Sequence, residues 1–399
     1  MKKRRSKKTD NKGIQSTNVV NGAFADKKRG NSYFDYSLLF ACIFVTLLGF
    51  VLLYSASSYS ASRTYNDSLY FFKRQIFATG LGIVAFIVVM IVSYSNIRRF
   101  SWLIYLLALI SVVMVKTPLG VSLNGASRWL KIGPIQFQPA ELVKIAVILV
   151  TAHEIAKCGV TALGNYKNCW KILIRTTIIP VFFIMVCTSN LSSSIIILLI
   201  GYLMIIIAGA TKKFLFQSIG LGAILALLAW PILNVIGGGF RGERIQVWLD
   251  PASHYNKLGY QVMQGLYAIG SGGLFGKGLG NSTQKIYLPE ATNDMIFSIV
   301  VEEFGVFGAV CIVALFIFIL FRMKTIATYV PGDMFGSMIV VGVMLQIGLQ
   351  FILNIAVVTN TIPNTGVSLP FISYGGTSLA FLIAELGLVF SVSKSIGRA

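Results

Sequence analysis

The chain has 399 residues, 55% of them hydrophobic and only 12% charged, with a mean hydropathy of +0.76. A soluble domain carries about 25% charged residues, so this composition excludes an ordinary water-soluble enzyme and points to a helix bundle in lipid. The net charge of +20 does not indicate nucleic acid. Much of it lies in the N-terminal tail, Met1 to Lys8 and Lys27 to Arg29, with no interleaved aromatic residue.

Residues 1–33 are expected to form a disordered basic tail, a topology signal that also touches anionic lipid. The apolar run from Tyr36 to Tyr54 exceeds the roughly 7–15 residues of a signal h-region and is expected to remain as the first helix. Spans of about 20 apolar residues are expected near 35–57, 76–95, 101–116, 139–156, 171–188, 191–209, 214–236, 294–321, 334–358 and 369–393. The fold class is therefore an all-α integral membrane protein of about ten transmembrane helices. Its membrane domain covers 34–393, and a short cytoplasmic end covers 394–399.

With the N-terminus inside, cytoplasmic segments hold 22 Lys and Arg and outer segments 11. That bias favours cytoplasmic N- and C-termini. Three outer segments are then informative: 117–138, the long polar loop 237–293 between helices 7 and 8, and 359–370.

Ionisable residues inside a membrane are costly and default to function. Glu141 and Lys144 share a helix face. They read either as a mutually neutralising pair or as a pair lining a cavity, with Lys144 offering charge to an anion. The segment from Gly239 to Pro251 holds Arg241, Glu243, Arg244 and Asp250. Lipid headgroups would explain one arginine. Arg128, Arg241, Arg244 and Lys144 together suit a lipid diphosphate better. The glycine-rich run Gly270–Gly280 fails as a nucleotide loop, since Ser271 and Gly278 stand where that motif requires glycine and Ser or Thr. Tight turns and close helix approach are its expected use. Asp294 opens a helix straight after a polar loop, either as a helix N-cap or first-turn acid or as a general base facing a cavity at the outer leaflet. Five scattered cysteines and two histidines, His153 and His254, supply neither a disulfide framework nor a zinc site.

Four blocks then resemble the SEDS glycosyltransferases, the FtsW and RodA group. They are Asn124 to Leu130 with Phe137 to Lys144; Arg241 to Pro251; Gly278 to Ser282 with Leu288 to Ser298 and Glu302 to Gly305; and Ile362 to Ser378. They occur in order, with matching spacing, across residues 34–393, and the wording is more similar to the FtsW branch. The resemblance implies a ten-helix peptidoglycan glycosyltransferase of the bacterial cytoplasmic membrane. Such an enzyme polymerises lipid II into glycan strands at the outer face during cell division and releases undecaprenyl pyrophosphate.

It further implies Asp294 as the catalytic base that activates the acceptor hydroxyl. Arg128, Lys144, Arg241 and Arg244 would hold the pyrophosphate, Glu141 would orient Lys144, and Ser373 and Ser378 would shape the cavity wall. The implied partners are lipid II, a class B penicillin-binding protein transpeptidase, other divisome proteins and membrane lipids, with no nucleic acid. No cofactor is required and no protein metal site is expected. Any metal would be Mg²⁺ or Mn²⁺ shared with the pyrophosphate. Two departures stand out. Asn190 replaces the usual family aspartate, so its loop is given no catalytic role, and Asn364-Thr365 stands where some members carry a lysine. A lipid II flippase and a non-catalytic divisome scaffold are the alternative readings.

Overall fold

The computed structural model describes residues 34–123, 126–133, 135–235, 240–255, 258–330 and 332–396. The basic tail and residues 397–399 lie outside the described residues. Thirteen α-helices are described: α1 Tyr36–Tyr65, α2 Tyr70–Val92, α3 Tyr94–Met114, α4 Pro139–Leu163, α5 Tyr166–Leu173, α6 Ile179–Thr188, α7 Leu191–Ile207, α8 Lys212–Val235, α9 Phe240–Leu249, α10 Leu258–Gly272, α11 Ile296–Tyr329, α12 Met334–Val358 and α13 Thr377–Ser393. A π-helical stretch, Ile174–Ile178, joins α5 and α6 into one 23-residue rod.

Each expected span coincides with a helix. Among the described residues, seven helical rods of 21 to 34 residues are long and apolar enough to cross a bilayer. Two shorter apolar helices, α7 and α13, accompany them. The chain is a multi-pass membrane protein. Its last helix begins at Thr377 rather than near 369. Before it the chain turns through Gly376 at φ 48°, a left-handed conformation that costs glycine little.

The helices start where the sequence supplies caps. Asp35 accepts from the Leu38 amide at 3.0 Å, and Asp333 from the Phe335 amide at 3.1 Å. Asn190 caps α7 by accepting from the Ser193 amide at 3.1 Å. A cap needs an oxygen rather than a charge, so an amide at this position serves the local fold as an acid would. The core is continuous: α13 packs along α2, α11 against α12, and α4 against both α3 and α12.

Two of the segments between spans are more ordered than all-α loops. Segment 117–138 folds into a three-stranded antiparallel meander, β1 Gly120–Leu123, β2 Ala126–Ile132 and β3 Ile135–Phe137. The expectation of an all-α chain missed it because its strands are only three to seven residues long. The register jumps between Val121↔Trp129 and Ser122↔Ser127, leaving Arg128 at a bulge. Segment 237–293 contains α9, α10 and a 3₁₀ turn at Gln284–Ile286.

The glycine-rich run ends α10 and lies against a kink in α11. A Cβ on Gly276 would meet the Glu303 carbonyl oxygen at 2.2 Å, and one on Gly305 would meet the Leu274 carbonyl oxygen at 2.3 Å. Close backbone approach is thus the use of these glycines. Beneath them, the buried Glu302 carboxylate accepts from Lys277 Nζ at 2.6 Å, the Thr283 amide at 3.1 Å, Thr283 Oγ1 at 2.9 Å and the Gln284 amide at 3.2 Å. Ser271 at 3.3 Å and Ser282 complete its shell.

Candidate active site

Asp294 sits in the turn that precedes α11. The helix N-cap is Met295, and no side chain makes a capping bond there. The capping role is therefore not the one this carboxylate plays. Asp294 is 7% exposed, and its only described side-chain hydrogen bond is from Gln261 Nε2 of α10, at 3.4 Å. Burial pushes its pKa up to about 7, and the negative charge of Glu290 pushes in the same direction. Its backbone amide, Arg244 and Gln261 pull the other way.

The turn is held by distant parts of the chain. Ser373 Oγ donates to the Asn293 carbonyl at 2.6 Å and accepts from the Leu369 amide at 2.8 Å. The Tyr374 amide donates to the Thr292 carbonyl at 2.8 Å. Asn354 Nδ2 of α12 donates to both the Asp294 and Val367 carbonyls, each at 2.7 Å. Gln75 of α2 ties down the far side, donating to the Ser373 carbonyl at 3.3 Å and accepting from the Gly376 amide at 3.2 Å. Replacing Asn354 by Leu strands two buried carbonyls. Each costs about 1–3 kcal/mol, so a clear drop in the thermal midpoint in detergent is expected.

The predicted anion-binding residues fall into separate groups. Arg244 joins the Asp294 neighbourhood: its Nη1 donates to the Asn364 carbonyl at 3.0 Å, and its charge acts on the carboxylate. Trp248, one turn on, donates to the Asn360 carbonyl at 3.0 Å and fastens α9 to the last loop. The side chain of Arg241 lies outside the described residues. Arg128 is half-buried in the meander, which is tied to the start of α13 where Thr377 Oγ1 donates to the Gln136 carbonyl at 3.1 Å.

Glu141 and Lys144 pair directly at 2.8 Å, Lys144 being 2% exposed. Glu141, Ser373, Ser378, Gln346 and Gln350 line a narrow cavity of about 20 Å³, room for one water. In this state Lys144 faces a carboxylate rather than open space. Removing the partner leaves a buried ammonium uncompensated, which costs about 3–5 kcal/mol. Glu141→Ala should therefore unfold at a distinctly lower temperature than wild type, while Lys144→Met with Glu141→Leu recovers most of the loss.

Sequence reasoning missed Gln261, Asn354 and Glu385. Glu385 is buried in α13, takes both donations of Gln346 Nε2 at 2.9 and 2.7 Å, and lies within electrostatic reach of Lys144. Its signal was available as a lone acid in an apolar helix. Gln346, Gln350 and Asn354, four residues apart on α12, likewise mark a polar stripe in an otherwise apolar span. Gln261 carries no such signal, because α10 follows a loop and its register comes from packing.

Comparisons with known proteins identify the family. The family described as "Cell cycle protein" (FtsW/RodA/SpoVE) matches residues 36–397. The chain is 35% identical over 364 residues to "Stage V sporulation protein E" of Bacillus subtilis (strain 168), covering 90% of this chain and 97% of that protein. It is also 35% identical over 389 residues to "Probable peptidoglycan glycosyltransferase FtsW" of the same organism, covering 93% of each. Its backbone matches a solved structure described as "Structural coordination of polymerization and crosslinking by a peptidoglycan synthase complex", with a TM-score of 0.75 at 25% identity over 91% of this chain and 98% of that one. A match over nearly the whole chain, to relatives aligned end to end, establishes that this protein belongs to the FtsW/RodA/SpoVE family.

Proposed function

We propose that this chain is a peptidoglycan glycosyltransferase that polymerises lipid II at the outer face of the bacterial cytoplasmic membrane during cell division. The observation that carries the reading is Asp294: a buried carboxylate, not used as a helix cap, in a turn fixed by Ser373 and Asn354. Relatives named as peptidoglycan glycosyltransferases support the same activity.

In the proposed step, ionised Asp294 takes the proton of the acceptor sugar hydroxyl. That oxygen attacks the anomeric carbon of the donor, and the carbon–oxygen bond to the diphosphate breaks. Undecaprenyl pyrophosphate leaves with the electron pair. The charge of Arg244 acts on the Asp294 carboxylate, and Arg128, Arg241 and Lys144 are assigned to the diphosphate. Lys144 can serve only after exchanging Glu141 for the substrate. The reaction calls for no cofactor. A Mg²⁺ or Mn²⁺ bridging the diphosphate would draw its oxygens mainly from substrate. A class B penicillin-binding protein fits as partner, since a matched structure is described as a synthase complex that couples polymerization and crosslinking.

The test is purified protein in liposomes carrying labelled lipid II, assayed for glycan polymer and separately for movement of lipid II between leaflets. Polymer is expected. Transbilayer movement without polymer would replace this reading by the flippase, and neither activity would favour the scaffold.

A further inference from the structure

The opposite end of the bundle carries a feature the reaction does not use. Helix α4 starts beside the meander and runs unbroken as far as a kink at Gly159, whose φ is 73°; the stretch before the kink is about 30 Å long at 1.5 Å per residue, so α5 begins at the far end. There Tyr166, Lys167, Trp170, Lys171, Ile174 and Arg175 line a shallow depression of about 410 Å³. That is within the ~300–1,000 Å³ of small-ligand clefts.

Its walls are fixed from both sides. Trp170 Nε1 donates to Gln217 Oε1 of α8 at 3.2 Å, and Lys213 Nζ lies 4.2 Å from the centre of the Tyr166 ring. On the other flank, the Arg175 guanidinium lies over Trp102 at 5.3 Å and 3.6 Å from Glu154 Oε2. Arg175 belongs to the π-helical stretch, and its carbonyl accepts from the Tyr105 hydroxyl at 2.6 Å. Insertions of this kind in membrane helices recur at functional sites. Lys167 and Lys171, one turn apart and both exposed, make no ion pair among the described residues.

Snorkelling lysines that only mark topology would explain two cations near a helix end. They would not explain an apolar floor whose aromatic rings are held by partners on a neighbouring helix. The depression occupies the first turns of a membrane-spanning rod, where a bilayer changes from headgroups to chains. An occupant needs an anion for the lysines and an apolar part for Trp170 and Ile174. Inorganic phosphate offers only the first, whereas an anionic phospholipid offers both and arrives laterally. We propose that this depression binds an anionic phospholipid, its phosphate against Lys167 and Lys171 and its upper chain along Trp170 and Ile174.

The experiment uses the full chain in vesicles containing brominated phosphatidylglycerol or brominated phosphatidylcholine. The Trp170 signal is isolated by difference from Trp170→Phe. At about 1 kcal/mol per basic residue near the surface, two lysines give a preference of roughly 10- to 30-fold for the anionic lipid. Quenching of Trp170 should therefore saturate at a correspondingly lower mole fraction of phosphatidylglycerol. The Lys167→Gln/Lys171→Gln variant should lose that preference, and Lys324→Gln should keep it. Unchanged thermal transitions confirm folding of both variants, whose substituted lysines are exposed. Equal quenching by the two lipids overturns the proposal, as does a preference that survives loss of both lysines. Displacement of the anionic lipid by inorganic phosphate alone would assign the site to a free anion and overturn it as well.

Discussion

Asp294→Asn should lower lipid II polymerisation by about 10²–10⁴-fold, the usual worth of a positioned general base, while the protein inserts and folds. The same variant should be more stable than wild type above pH 7. The sign follows from the raised pKa of the buried carboxyl, about 7 against an ordinary value of 3.8. Its favourable contribution to folding is complete below the unfolded-state value and is lost as pH rises through the folded value. At pH 8 wild type therefore holds a charge the fold disfavours, and the amide removes it, a gain on the order of a few kcal/mol. Polymer yield and thermal midpoint measured on one preparation separate catalysis from folding. Normal polymer from the variant would end the base assignment.

The pH profile gives a second reading of the same group. Only ionised Asp294 can accept a proton, so activity should rise with pH along a limb centred near 7. Glu290→Gln removes a charge that raises this pKa and should move the limb to lower pH. Arg244→Gln removes one that lowers it and should move the limb up.

Glu302→Ala is expected to cause a large loss of stability, comparable to that of Glu141→Ala. Six donors converge on this carboxylate, and breaking a buried charged network by removing one member costs about 3–5 kcal/mol. Lys277 is 32% exposed at the side chain and regains water, so most of the cost comes from the buried amides and hydroxyls. Glu303, the next residue, is a sharp control. Among the described residues it accepts one bond, from Ser55 at 2.5 Å, and its other oxygen has no partner. Glu303→Gln should shift the unfolding midpoint far less, as measured by thermal unfolding in detergent with susceptibility of the 273–285 segment to proteolysis as a local readout.

Much of this molecule is legible in its sequence, for physical reasons that differ by element. The spans were legible because lipid forces long apolar runs. The resemblance singles out Asp294, Ser373 and Ser378, and the described geometry puts Ser373 one hydrogen bond from the Asp294 turn. The meander was not legible, since its short strands lack the alternation that would separate them from loop. The Glu141–Lys144 spacing gave the pair but not its burial, which depends on α12 and α13 arriving from two hundred residues away. Asn354 reads as one more polar residue in an apolar helix until the turn it supports is in place.

That support has a consequence for the order in which the protein is made. The surroundings of Asp294 draw on Gln75, Gln261, Asn354 and Ser373, and the last of these belongs to the loop before the final helix. A ribosome-bound chain that has inserted everything through α12 still lacks the strap that closes the turn. The turn around Asp294 is thus closed late in synthesis, after the helices through α12 are already in place.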